Sequence, residues 1–101
     1  MDIKDFANRI AQLRAVRGVS ARDMSLSIGQ SAGYINNIEN GINYPSMTVF
    51  FYICEYFGIT PSEFFDTQNK NPVRTQELLD ATKGLNSQQI ELLINVAKGL
   101  K

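Results

Sequence analysis

A chain of 101 residues with 44% hydrophobic and 20% charged content can build one small core with an appended element, and is too short for two full domains. Ten Lys and Arg balance ten Asp and Glu, histidine is absent and one cysteine stands alone, so the usual zinc ligand sets, a histidine-dependent triad and an internal disulfide are excluded. With no apolar run long enough to span a bilayer and no stretch that reads as a signal peptide, the expectation is a cytoplasmic protein without membrane, metal, cofactor, small-molecule substrate or enzymatic activity.

Residues 2–17 read as the first helix, with Phe6, Ile10, Leu13 and Val16 on one apolar stripe and Gly18 closing it. Asp2 and Asp5 sit at the positive end of its dipole. Ser20 can cap a second helix running to about Ile28, with Asp23 returning the hydrogen bond and Val19 and Met24 stapled around the cap. Gly29 then frees the backbone for a tight turn and Ser31 offers another cap. Tyr34, Ile35 and Ile38 recur at helical spacing until Asn40 and Gly41 end a third helix over 31–40. Met24, Ile28, Ile35 and Ile38 give these two helices one shared seam, and Ser25 is small enough for a close, steep approach. The stretch from Ser20 to Gly41 therefore reads as a helix-turn-helix.

Ser46 caps a fourth helix from Met47 to Phe57, which Gly58 ends. Met47, Phe50, Phe51, Ile53, Cys54 and Phe57 are its expected core residues, with Val49, Tyr52 and Tyr56 left outside. Thr60, Pro61 and Glu63 form a cap, a first-turn proline and a box residue, and Ile59 is stapled to Phe64, so a short fifth helix closes at Phe65. The polar stretch 66–71 is linker-like and divides the chain into 1–66 and 67–101. Beyond it, Asn71 and Pro72 open a sixth helix that Gly84 ends. Asn86 with Gln89 caps a seventh, in which Ile90, Leu93, Ile94, Ala97 and Leu100 make a continuous stripe. A lone hairpin cannot bury such a stripe; it either folds back on Val49, Tyr52 and Tyr56 or pairs with a second chain.

Gly29 in the turn, Ile-Glu-Asn-Gly at 38–41, Pro45-Ser46, Phe57-Gly58-Ile59-Thr60 and Glu63-Phe64-Phe65, in this order and spacing, resemble the Cro and lambda-repressor family of helix-turn-helix domains, the Xre type, over roughly residues 6–66. The resemblance implies an all-α fold: a five-helix lambda-repressor-like domain, here with the C-terminal helical hairpin appended. It implies a regulator that binds double-stranded DNA, a repressor by family habit, acting as a homodimer on a two-fold operator. It also implies that Arg14 pairs with Glu39, locking the first helix to the end of the third, and that Ala32, Gly33 and Asn37 occupy positions that touch bases. Two positions depart from the pattern: Gln30 where the turn is usually apolar, and Ala21 where a glutamine is frequent.

The exposed face of the third helix is Ala32, Gly33, Asn36 and Asn37, and among the family's base-touching positions only Asn37 carries an amide able to pair with an adenine edge. Residues 1–22 hold five basic side chains, Lys4, Arg9, Arg14, Arg17 and Arg22, against Asp2 and Asp5, whereas 23–69 contain no Lys or Arg. Cationic phosphate contacts are therefore assigned to Arg9, Arg17 and Arg22, and uncharged ones to Ser31, Asn40, Asn43 and Tyr44, with Tyr44 alternatively a loop aromatic packed on the core. Tyr52, Ile90, Leu93, Ile94 and Leu100 form the candidate dimer surface. The neutral net charge supports a second reading, a protein-interaction module of antitoxin or anti-regulator type that keeps the same fold for its shape.

Overall fold

The computed structural model describes residues 1–101 as seven helices and no strand, the all-α architecture expected. Helix α1, Ile3–Arg17, starts on a reciprocal box: the Asp2 carboxylate accepts from the Asp5 N–H at 2.9 Å while Asp5 accepts from the Asp2 N–H at 3.0 Å. It ends at Gly18, whose φ of 73° is a left-handed cap that a side chain would strain. Helix α2, Ala21–Ser27, begins with the Ser20 hydroxyl accepting from the Asp23 N–H, but the Asp23 carboxylate does not return the bond. Helix α3 spans only Tyr34–Glu39 and is followed by α4, Met47–Phe57, capped by Ser46. Thr60 and Glu63 close a full box on α5, Pro61–Phe65, with Pro61 in its first turn. Helices α6, Pro72–Ala81, and α7, Ser87–Gly99, open on Asn71 and Asn86 respectively.

The first five helices enclose one core. Phe6, Ile10 and Leu13 of α1 meet Met24 and Ile28, Ile35 and Ile38, and the buried face of α4. Phe6, Phe50 and Phe64 form its aromatic centre, with centroids 5.1 to 6.1 Å apart in tilted and edge-on pairs. Four residues depart from their expected placement. Val16 is half exposed, one turn beyond the reach of the core at the C-terminal end of α1. On α4 the buried set is Val49, Phe50, Ile53, Cys54 and Phe57, a single face at i, i+1, i+4, i+5 and i+8. Met47 and Phe51, a turn apart on the side of that face, are exposed against expectation, and Val49, expected outside, is buried. An almost uniformly apolar helix carries little information about its own rotation, which tertiary packing decides.

Beyond the linker the packing changes character. Pro72 is the one buried residue of α6, and α7 has none. The molecule measures 51 × 23 × 23 Å with a radius of gyration of 16.5 Å, against about 13 Å for a compact chain of this length. Helices α6 and α7, expected as a packed hairpin, bury no residue against each other and project instead of folding back on Val49, Tyr52 and Tyr56. No helix is long and apolar enough to cross a membrane.

Burial pushes the Cys54 thiol up from 9.0 to about 11. The folded state therefore favours the neutral thiol, and its contribution to stability is complete below pH 9 and lost as pH rises toward 11, because only the unfolded chain ionises freely in that window. Urea midpoints measured across that range should fall more steeply for the wild type than for Cys54→Ala, and at pH 8 a thiol reagent should label Cys54 only as fast as the core opens.

Candidate nucleic-acid interface

A two-helix unit that presents side chains to a groove needs a fixed crossing, and here one hydroxyl supplies it. Ser25, fully buried on α2, donates to the Ala21 carbonyl at 2.7 Å and accepts from the Ile35 N–H of α3 at 2.9 Å. Helix α3 has no side-chain cap of its own, so Ser25 satisfies one of its first-turn donors from the neighbouring helix. The turn between them passes through Gly29, at φ 77°, where the backbone requires glycine. The sequence shows Ser25 only as a small residue; its one further signal is a hydroxyl inside a helix on the buried face.

The third helix begins later than expected. Ser31 does not cap it; its carbonyl accepts from the Tyr34 N–H at 3.0 Å in a turn through Ala32 and Gly33, and the helix starts where Ser25 can reach it. Ala32 and Gly33 therefore lie at the leading edge of α3, Ala32 partly covered and Gly33 exposed. Asn36, Asn37 and Asn40 follow, all exposed. The Asn36 and Asn37 amides make no hydrogen bond within the protein, which leaves their donors and acceptors available to an incoming partner. In the following loop the Asn43 amide donates to the Tyr44 carbonyl at 3.2 Å, and the half-exposed Tyr44 ring meets Phe6 edge-on at 5.3 Å, the core-packed alternative for this aromatic.

The cations are distributed differently from the sequence-based assignment. Arg9, expected on phosphate, is 1% exposed and turned inward. Its guanidinium donates to the Phe64, Glu63 and Asn69 carbonyls at 2.5, 2.7 and 3.0 Å and to the Gln12 side chain at 2.5 Å. Desolvation lowers its pKa while Asp66 opposes the shift, and the group remains charged. The reason for the inward turn is the short α5, whose last carbonyls lack helical partners and are met by this fork. Arg14 pairs bidentately with Glu39 at 2.7 and 2.8 Å and donates to the Val19 carbonyl at 3.0 Å. The hydrogen bonds with Glu39 hold the Arg14 pKa above its usual value. Arg17 donates to the Tyr56 carbonyl and lies over the Tyr56 ring at 4.3 Å, so it belongs to the end of α4 and not to the α2–α3 face. Of the N-terminal cations, Lys4 and Arg22 remain exposed and without a protein partner, and Arg22 is the one on the helix-turn-helix itself.

The candidate dimer residues are not gathered by one chain. Tyr52 stands on α4 beside a groove with Ser27 and Glu55, whereas Ile90, Leu93, Ile94 and Leu100 lie on the projecting α7.

A family model described as a helix-turn-helix domain matches residues 7–70, from the first turns of α1 to the end of the linker. No curated protein and no solved structure matches the chain.

The Arg14 and Glu39 side chains are only 26% and 13% exposed, so removing one partner strands a poorly solvated charge. Arg14→Ala should cost stability at the lower end of roughly 3–5 kcal/mol, and Arg14→Met combined with Glu39→Leu should recover more than half of it in urea titrations.

Proposed function

The chain belongs to the helix-turn-helix domain family, and from that premise we propose that it is a regulator of the Cro and lambda-repressor type that reads a specific sequence in double-stranded DNA. In this reading it is a cytoplasmic repressor, acting as a homodimer on a two-fold operator. The observation that carries the proposal is the α2–α3 crossing held by Ser25, which projects Asn36 and Asn37 outward with their amides free. An α-helix fits the major groove end-first, and an asparagine amide matches the adenine N6 and N7 edge with two hydrogen bonds. Ala32 at the leading edge offers a thymine methyl contact, and Gly33 lets the backbone come close. Asn40, Asn43 and Ser31 are uncharged phosphate partners, with Arg22 as the cation of the motif. Two copies on successive major grooves, about 34 Å apart, supply the affinity that one neutral half-site lacks.

A second reading, a protein-interaction module built on the same fold, is favoured by one observation: three of the four arginines of the N-terminal region are committed to internal partners. Operator selection from random DNA, followed by salt titration, separates the two. A protein that recovers no preferred sequence is not a sequence-reading regulator.

On the selected operator, Asn37→Ala should weaken specific binding by roughly 1–3 kcal/mol and leave binding to unrelated DNA nearly unchanged. Equal losses on both would remove Asn37 from base reading. The dependence of log K on log salt should be shallow, and Arg22→Ala should lower its slope by about 0.9 for each phosphate no longer neutralised, whereas Arg17→Ala should leave the slope where it was.

A further inference from the structure

Helix α7 carries more apolar surface than its own chain covers. At 100° per residue, Leu92, Val96, Leu100, Leu93, Ala97, Ile90 and Ile94 sweep an arc of roughly 200°, twice the stripe that faces a single neighbouring helix. None of these residues is buried. A second apolar surface lies on the five-helix body: a groove of about 320 Å³, floored by Phe6 and Phe50 and walled by Met1, Tyr44, Met47 and Phe65. Met47 is 68% exposed and Phe65 50%, a degree of exposure that nothing in the core or at the candidate nucleic-acid interface requires.

The two surfaces differ in the charge around them. Asp5 lines the adjoining depression together with Met1 and Phe65, Asp2 is hydrogen-bonded to Asp5, and Asp66 follows Phe65. Three cations lie nearby: the Met1 ammonium and Lys4, both exposed, and Arg9, which is buried and saturated by carbonyls. The end of α7 carries Lys98 and Lys101 beside Ile94 and Leu100, with Glu91 two turns earlier as its one acid. At the surface Asp2, Asp5 and Asp66 outnumber the Met1 ammonium and Lys4 by one charge, and the Lys98 and Lys101 side chains outnumber that of Glu91 by one, so the aromatic groove and the apolar helix carry small opposite balances and are complementary.

We infer that α7 of one copy docks into the Met1–Tyr44–Met47–Phe65 groove of a second copy, and that the exchange is reciprocal. The inference rests on the homodimer reading and names the surfaces that make it. A reciprocal exchange is closed by a two-fold axis, so it ends at the dimer and forms no filament. Four half-exposed large side chains on each side of each contact remove on the order of 1,600 Å² in total, the size of a standard stable interface, whereas one contact alone falls below it. Salt should weaken the dimer, because the lysine and aspartate groups at the rim are solvated.

The test uses full-length chains carrying Met47→Asp or Ile94→Asp, both at exposed positions, with helix content checked by circular dichroism. Sedimentation velocity should show a wild-type dimer, and each variant should dimerise more than about tenfold more weakly. An equimolar mixture of the two variants retains one intact contact, the Met47→Asp chain supplying α7 and the Ile94→Asp chain supplying the groove, and native mass spectrometry should detect that heterodimer. Unchanged dimerisation of Met47→Asp would mean that α7 packs on α7 and would overturn this inference while leaving the homodimer standing. A wild-type chain that stays monomeric at tens of micromolar would overturn both.

Discussion

A helix of five to seven residues leaves more of its backbone groups without an internal partner than it satisfies, and three of the seven helices here are that short. Buried or half-buried, those orphan donors and acceptors must be met by side chains from elsewhere. Local caps serve the starts of α2 and α5, but the start of α3 is served by Ser25 from α2, and the end of α5 by Arg9 from α1. Arg17, also from α1, does the same for a carbonyl in the last turn of α4. Helix α1 thus closes the C-terminal ends of α4 and α5, and no buried side-chain polar atom is left without a partner.

These internal commitments govern the electrostatics of the interface. A guanidinium bonded to buried carbonyls is not free for phosphate, so the basic N-terminal segment, which looks like a DNA-facing patch when charges are counted along the chain, delivers few cations to the surface. What the α2–α3 face offers instead is a row of small and amide side chains on a crossing fixed by a buried hydroxyl. Such a face gains little from the long-range attraction that any DNA exerts and depends on shape and hydrogen-bond matching. In the DNA-reading role proposed above, a weaker electrostatic term leaves non-specific binding weak as well, so occupancy would rest on base-edge and shape matching.

The parts of this structure legible in the sequence are those whose causes lie within four residues. The Thr60–Glu63 box, the Ser20 and Ser46 caps and the glycines at 18, 29 and 58 each punctuate a helix through local hydrogen bonds or a positive φ, and the elements fall where those residues place them, whereas Asp2 and Asp5, read only as acids at the helix dipole, turn out to form a box of their own. The Ile-Glu-Asn-Gly motif leads to the Arg14–Glu39 pair only through family resemblance, since 25 residues separate the partners. The roles of Arg9 and Ser25 are not legible at all, because an arginine reaching carbonyls 54 to 60 residues away, or a serine capping a neighbouring helix, has no local signature. The rotation of α4 escapes the sequence for a different reason: with apolar residues on nearly every side, periodicity cannot choose between Val49 and Met47. The start of α3 shifts because a serine in sequence position to cap it is pre-empted by a serine in spatial position to do so.

The same polar chain that closes α5 also fixes the root of α6. Arg9 donates to the Asn69 carbonyl, the Asn69 side chain accepts from the Asn71 N–H and the Thr75 hydroxyl, and Asn71 in turn caps α6 beside the buried Pro72. The root of α6 is therefore anchored to the body through a buried cation, although almost nothing else in the hairpin is packed. A hairpin with a fixed root and an unburied far helix loses less orientational freedom on meeting a partner than a loosely tethered one, so more of the apolar area it buries is retained as association free energy. In the dimer proposed above, the helical stability of this segment, marginal for two helices of this length in isolation, becomes linked to protein concentration through the copy that covers α7.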